Sequence, residues 1–308
     1  MGRKRRGTVV NGWLAIDKPI GMSSTAVVTR VRHLLDAAKV GHGGTLDPLA
    51  SGVLPIALGE ATKTVAYVME GSKTYRWRVR WGEARTTDDR EGDISATSDH
   101  RPTKAEIEAA LPAFLGEIEQ VPPIFSAVKV EGRRAYDLAR NDVAVELKSR
   151  RVRIDAFRLL DMPDADHADF EVHSGKGTYV RALARDLSLA LGTVGHVAIL
   201  RRTSCGPFHE NTAISLEKLG ELGHSAASAE LVLPVETALD DIPALALTES
   251  EARRLQSGQP VPLWREASRA IPTDIPEGST FRAMAEGRLV ALVRIEGVEI
   301  RPVRVLNL

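Results

Sequence analysis

The chain has a single cysteine, Cys205, so it can form no internal disulfide and offers no multi-cysteine metal site. It also lacks any apolar run of about 18 residues, the length that a membrane-spanning helix needs. The basic opening Met1–Arg6 is followed by Gly7-Thr8-Val9-Val10-Asn11, too short for the apolar core of a secretion signal. Together these absences imply a cytoplasmic protein with no membrane attachment. An excess of one charge is missing too, because 41 basic side chains balance 41 acidic ones. Coating of nucleic acid by bulk charge is therefore disfavoured, while a local basic groove stays open.

Several common chemistries are absent. The glycine-dense segment around Gly43 lacks the Gly-Lys-Ser/Thr ending of a phosphate loop, which argues against nucleotide hydrolysis. No Gly-x-Gly-x-x-Gly follows a strand in the dinucleotide pattern, and no serine occupies a nucleophile elbow. His42, His173, His196 and His209 are too scattered for a metal-ligand series. What remains is a site without cofactor or metal, built around one aspartate.

That aspartate is Asp47, in Gly41-His42-Gly43-Gly44-Thr45-Leu46-Asp47-Pro48-Leu49-Ala50-Ser51-Gly52. Three glycines in four positions allow positive φ and close approach of the backbone to a ligand. Pro48 pushes Asp47 out of the α region and sets its carboxylate at a bend. The same pattern also fits an ordinary helix start, with Asp as N-cap and Pro in the first helical position.

Strand-like and helix-like segments alternate through residues 1–235, which predicts a mixed α/β (α+β) domain over residues 1–240. Thr74 to Trp81 alternates strictly, with Tyr75, Trp77, Val79 and Trp81 on one face and Arg76, Arg78 and Arg80 on the other. Such an arginine row is more often a solvated sheet surface than an RNA site. Ser23 to Leu35 has helical spacing, with Ser23 or Ser24 as cap, and Thr103 to Glu106 is a capping box. Residues 122–140 form a basic excursion, expected to be a loop with a short helix near Ala135 to Ala139. Val152–Ile154 and Phe170–Val172 read as strands. Thr178 is a good N-cap for an amphipathic helix carrying Val180, Leu183, Ala184, Leu187 and Leu191 and ended by Gly192. Arg181 then falls in the first turn, where the helix dipole disfavours a cation. Lys176 and Arg181 are accordingly expected to hold an anion, either a phosphate or a carboxylate from elsewhere in the chain. Beyond residue 240, Pro260, Pro262, Pro272 and Pro276 punctuate the chain. Strands at Phe281–Ala285, Leu289–Ile295 and Val298–Val305 predict a small β-rich domain over residues 241–308.

These motifs, in this order, resemble the bacterial TruB-type tRNA pseudouridine synthases. The resemblance runs from Gly12-Trp13-Leu14-Ala15-Ile16-Asp17-Lys18-Pro19 and Gly21-Met22-Ser23-Ser24 through the Gly41–Gly52 segment to Ala61-Thr62-Lys63. It continues in the Tyr75 strand, Thr86-Thr87-Asp88-Asp89, Pro122–Lys129, Lys176–Arg181, Leu200-Arg201-Arg202-Thr203 and Gly206-Pro207-Phe208. One small departure is Ser174-Gly175, where many relatives have Cys-Ser; it touches no carried-over catalytic residue.

The resemblance implies a pseudouridine-synthase domain with a mixed, largely antiparallel sheet, followed by a small PUA-like RNA-binding β-barrel. It implies detachment of uracil from C1′, rotation, and reattachment through C5, at the T-loop uridine in tRNA position 55, without a cofactor. Asp47 would be the nucleophile, acting on a nucleotide flipped out of its stack. Arg181 would be its partner, since a cation within ~4–6 Å favours the ionised carboxylate. Tyr75 resembles the residue that stacks on the target base and takes the C5 proton. Tyr179 and Leu200 resemble pocket residues, and His42 one that contacts displaced T-loop nucleotides. Asp89, in a matching segment, would bind substrate, and Lys63 and Lys129, with Arg133 and Arg134, would contact phosphates. The expected partner is the T-arm and elbow of tRNA, bound by a monomer with no nucleotide cofactor. A guide-RNA-dependent synthase and an RNA-folding protein with secondary catalysis are the competing readings.

Overall fold

The computed structural model describes residues 7–126, 129–130, 133–134, 147–223, 225, 228, 230–263, 276 and 278–308, with the backbone alone at 129–130 and 133–134. The short helix expected near Ala135 to Ala139 lies outside these residues. Among them, a ten-stranded mixed sheet forms the frame of the molecule. From one edge its order is Ile214–Ser215, Gly12–Lys18, Ala50–Leu58, Gly195–Cys205, Lys73–Trp81, His167–Ser174, Arg150–Asp164 and Gly116–Gln120. Pairing is antiparallel except at the first edge and between Ala50–Leu58 and Gly195–Cys205. The parallel join sits mid-sheet, with Leu200 opposite Ala50 and Arg202 opposite Gly52.

Alternation in Lys73–Trp81 works as expected: Trp77, Val79 and Trp81 are buried. Trp77 stacks on Phe170 of the neighbouring strand at 4.7 Å between ring centroids. The arginine face is covered by acids of that strand, with Arg76 3.0 Å from Glu171 and Arg78 2.6 Å from Asp169. The row is thus neutralised sheet surface.

Two of the apolar cores on this frame flank the Tyr75 strand. In one, the helix Val180–Ala190 buries Val180, Leu183, Ala184 and Leu187 against Trp77, Phe170 and Val197. Each fully buried leucine contributes roughly 1.5–3 kcal/mol. In the other, the helix Ser24–Leu34 buries Val27 and Val31 against Leu14, Ile16, Leu54 and Ile56. Tyr75 and Leu200, each partly buried, pack against both cores and mark the seam between them.

Two local expectations change. Thr178 is not the cap of its helix; Tyr179 occupies that position without a side-chain cap bond, and Thr178 Oγ1 donates instead to Gly175 O. Among Gly41, Gly43 and Gly44, only Gly44 has positive φ, at 131°. Gly43 is needed for space, since a Cβ there would lie 2.8 Å from Val68 Cγ1.

Beyond residue 240, Thr280–Ala285, Arg288–Glu296 and Glu299–Val305 form three antiparallel neighbours of a five-stranded sheet, covered by the helix Glu249–Gln256. Leu289, Leu292 and Leu306 of this module pack against Trp13, Val235 and Leu239, joining it to the larger sheet.

Candidate active site

Asp47 stands in a tight turn that leads into the strand Ala50–Leu58. Its carbonyl accepts from Ala50 N at 3.0 Å, and Pro48 sits in the second turn position that its fixed φ favours. The helix-start alternative is thereby corrected. Both neighbours of Asp47 are clamped. Ser24 Oγ accepts from Leu46 N at 2.9 Å and donates to Leu46 O at 3.0 Å. Pro48 O accepts from Gly21 N at 2.7 Å and from Lys18 Nζ at 3.3 Å. Fixing the main chain on both sides of Asp47 fixes where its carboxylate can point.

Its partner is Arg181, whose Nη2 lies 2.9 Å from Asp47 Oδ2. The Arg181 side chain is 6% exposed, against 38% for Asp47, so a buried cation meets a carboxylate open to solvent. Arg181 is itself over-determined. Nη1 donates to Thr87 O at 2.9 Å and lies 3.5 Å from Asp89 Oδ2, while Nη2 also donates to Phe125 O at 2.9 Å. Asp89 is in turn fixed by Thr87 Oγ1 at 2.5 Å and Glu91 N at 3.1 Å. The anion expected beside Arg181 is therefore a carboxylate of the chain. Lys176 does not join it; its ammonium pairs with Glu70.

Asp47 and Arg181 line a cleft of about 260 Å³ with Tyr75, Tyr179, Leu200, Met69, Lys73 and Arg202. Sheet register explains the convergence: Leu200 pairs with both Ala50 and Trp77, and Arg202 with both Gly52 and Tyr75. Residues two apart on a strand share a face, so Leu200 and Arg202 stand together beside Tyr75. Tyr179 is held by Arg150, whose guanidinium carbon lies 4.6 Å from the ring centroid. Burial pushes the Tyr75 phenol above its ordinary value.

Other expected residues lie elsewhere. His42 ends the strand Val40–His42 and is not among the cleft-lining side chains; burial, then the nearby Arg202 charge, lowers its pKa and favours neutral imidazole. Lys63 is committed to structure, donating to Glu60 Oε2 at 2.6 Å and to Val305 O at 2.8 Å, which ties the last strand to the main sheet. Lys129 lies in a two-stranded pairing with Arg133–Arg134, and its side chain is outside the described residues. Among the described residues, no group of three or more His, Cys, Asp or Glu is placed to hold a metal ion.

Sequence reasoning assigned no site role to Lys18, Ser24, Gln120 or Arg202. Lys18 carried the one local signal, a lysine ending an apolar strand, and it is fully buried. The other three act through partners 22 to 158 residues distant in sequence, which no local pattern marks.

Residues 32–180 match the TruB family pseudouridylate synthase (N terminal domain), and residues 181–240 the tRNA pseudouridylate synthase B C-terminal domain. A tRNA pseudouridine synthase B of Rhodospirillum rubrum is 62% identical over 308 residues, covering 100% of both chains. One from Caulobacter vibrioides is 53% identical, again over 100% of each. Among solved structures, a chain of a Cbf5-Nop10-Gar1 complex is 28% identical with a TM-score of 0.75, covering 96% of this chain and 85% of that one. With its mixed sheet, its clamped aspartate and full-length relatives of this kind, the chain belongs to the TruB family of pseudouridylate synthases.

Proposed function

We propose that the protein converts uridine to pseudouridine in tRNA, at T-loop position 55, without a cofactor. The observation that carries this reading is the 2.9 Å pair of Asp47 and buried Arg181 at a cleft walled by Tyr75, Tyr179 and Leu200. The relatives at 62% and 53% identity, both tRNA pseudouridine synthase B, support it.

In this reading Asp47 is the nucleophile, and Arg181, 2.9 Å away, aims it. Tyr75 and Tyr179 flank a uracil that has left its stack, and Leu200 supplies an apolar wall. Unstacking costs a few kcal/mol, which contacts to the RNA must offset. Tyr75 meets the base as a neutral hydroxyl, and accepting the proton from C5 requires that it first release its own. Asp89 acts through Arg181. Residues 1–240 form the catalytic domain, with 122–140 clamping the T-arm. Residues 241–308 act as a PUA-like RNA-binding module, a reading supported by their five-stranded sheet. The enzyme works as a monomer in the cytoplasm. A guide-dependent reaction is the second reading, in which partner chains would assist as in the Cbf5-Nop10-Gar1 complex, one chain of which has a similar fold.

Tritium release from an unmodified tRNA transcript carrying 5-tritiated uridine tests both. Joining C1′ to C5 expels the C5 hydrogen. About one release per tRNA is expected with wild type and none with Asp47→Asn, if catalysis rests on that carboxylate. Wild type that binds tRNA but releases no tritium would overturn the free-standing reading and favour the guide-dependent or RNA-folding one.

A further inference from the structure

Arg202 is one of the largest fully buried side chains, 2% exposed, and it lines the cleft. Its hydrogen bonds go to main-chain carbonyls: Nε to Val53 O at 2.8 Å, Nη2 to Gly44 O at 3.1 Å and Nη1 to Thr45 O at 3.4 Å. Among the described residues it has no ion-pair partner. The contrast with its neighbours is informative. Arg201, next in the chain, pairs with Asp17 and Glu210. Arg181 pairs with Asp47 and Asp89. A guanidinium removed from water among neutral acceptors alone is costly, and a fold that needed only packing or hydrogen bonds here would be served without the charge.

The charge is felt around the cleft. It acts on Lys18, His42 and Lys73 in the direction that disfavours a second cation. At Tyr75 it opposes the effect of burial. Two of its three carbonyl partners belong to Gly44 and Thr45, in the segment that delivers Asp47.

We propose that Arg202 is a positioning residue of the isomerisation, fixing the Gly44–Asp47 segment and supplying an unneutralised positive charge that favours the electron-rich states formed in the cleft. This rests on the isomerase reading above. When the C1′–N1 bond breaks with its electron pair going to uracil, the ring is an anion until C5 joins C1′. The C5 hydrogen then leaves as a proton, which a Tyr75 phenolate accepts to become neutral phenol, while N1 takes up a proton from solvent in place of the one that the phenol had released there. Both anions, uracil and phenolate, face the same guanidinium. Arg181 is less suited to that task because two carboxylates already neutralise it.

The test compares wild type, Arg202→Lys and Arg202→Met by single-turnover tritium release, tRNA affinity and thermal melting. Lysine keeps the charge but cannot span three carbonyls, so its rate is expected to fall about tenfold. Methionine removes charge and fork, and its rate is expected to fall at least ~100-fold, comparable to losing one preorganised donor at a developing anion. tRNA affinity should stay within about threefold of wild type in both, because the effect lies in the chemical step. Where Arg202→Met does not fold, Arg202→Gln, which keeps donors without charge, is read in the same way. Equal losses with Lys and Met, a loss confined to affinity, or an undiminished rate with Met would each overturn the inference while leaving the isomerase reading intact. An inactive wild type would overturn both.

Discussion

Gln120 and Tyr179 face each other as two peptide groups would. Gln120 Oε1 accepts from Tyr179 N at 2.9 Å, and its Nε2 donates to Tyr179 O at 3.2 Å. The side-chain amide thus anchors the N-cap residue Tyr179 by its own N–H and C=O, and sets the entry of the helix that carries Arg181. Gln120 is 1% exposed, and because Tyr179 O also accepts from Leu183 N at 3.0 Å, Tyr179 N is the group that depends on Gln120. Gln120→Leu is expected to destabilise the protein by about 1–3 kcal/mol, the cost of leaving the Tyr179 N–H without its partner. It should also raise KM more than it lowers kcat, since Tyr179 lines the cleft while Asp47 keeps its own clamps. Urea denaturation alongside steady-state kinetics checks both, and an unchanged urea midpoint would refute the capping role.

Arg181 gathers four acceptors from three segments: Thr87 O and Asp89, Phe125 O, and Asp47. A lysine in its place could not reach them all, because a single ammonium lacks the guanidinium fork. Arg181→Met would strand Asp89, which is 7% exposed, and is expected to cost about 3–5 kcal/mol, as breaking a buried pair does. Arg181→Lys should fold better than Arg181→Met yet lose about 100-fold or more in single-turnover rate if aiming Asp47 is its role. A lysine variant with the wild-type rate would show that charge alone suffices.

The contrast between Asp47 and Gln120 shows where sequence is legible and where it is not. The alternation of Tyr75 to Trp81, the stripe from Val180 to Leu187 and the Thr103–Glu106 capping box are set by neighbours a few residues apart, and the structure reproduces them. Asp47 stood out because glycines and a proline surround it. The clamps that aim it do not stand out. Ser24 was expected as a possible cap, but Ser23 takes that role and Ser24 turns inward to Leu46. Lys63 has the composition of a phosphate contact, yet the last strand arrives to claim it. In each case the deciding partner comes from a distant segment that only the tertiary fold brings near.

Gly52 is where that register is most sensitive. Its φ is 101°, and a Cβ would lie 2.2 Å from Arg202 O, across the parallel join of Ala50–Leu58 with Gly195–Cys205. Gly52→Ala must either strain the backbone or part the two strands, and both displace Arg202. A loss of about 2 kcal/mol or more is expected, in the range of backbone-strain substitutions. Activity should fall with it, because Asp47, Leu200 and Arg202 all depend on this join. Thermal melting and tritium release on the same preparation check the pair of effects, and unaltered values of both would mean that the strands adapt without cost.

Lys18 gives the fold a pH dependence of its own. Its ammonium donates to Pro19 O at 2.9 Å and Met22 O at 2.7 Å, as well as to Pro48 beside Asp47. Burial is the largest influence, lowering its pKa from 10.5 to about 8, against the opposing pull of Asp47. A lysine lowered in the folded state binds fewer protons there than in the unfolded chain between those two values. Stability therefore rises with pH from about 8 toward 10.5, and the penalty for charging Lys18 is fully present below that window. Lys73, also lowered chiefly by burial, acts in the same sense, so the informative quantity is a difference between proteins. Lys18→Met should show a shallower rise than wild type when urea midpoints are compared at pH 7.5 and 9.5. Parallel slopes in the two proteins would place the titration elsewhere and leave Lys18 as a tether of the Asp47 turn alone.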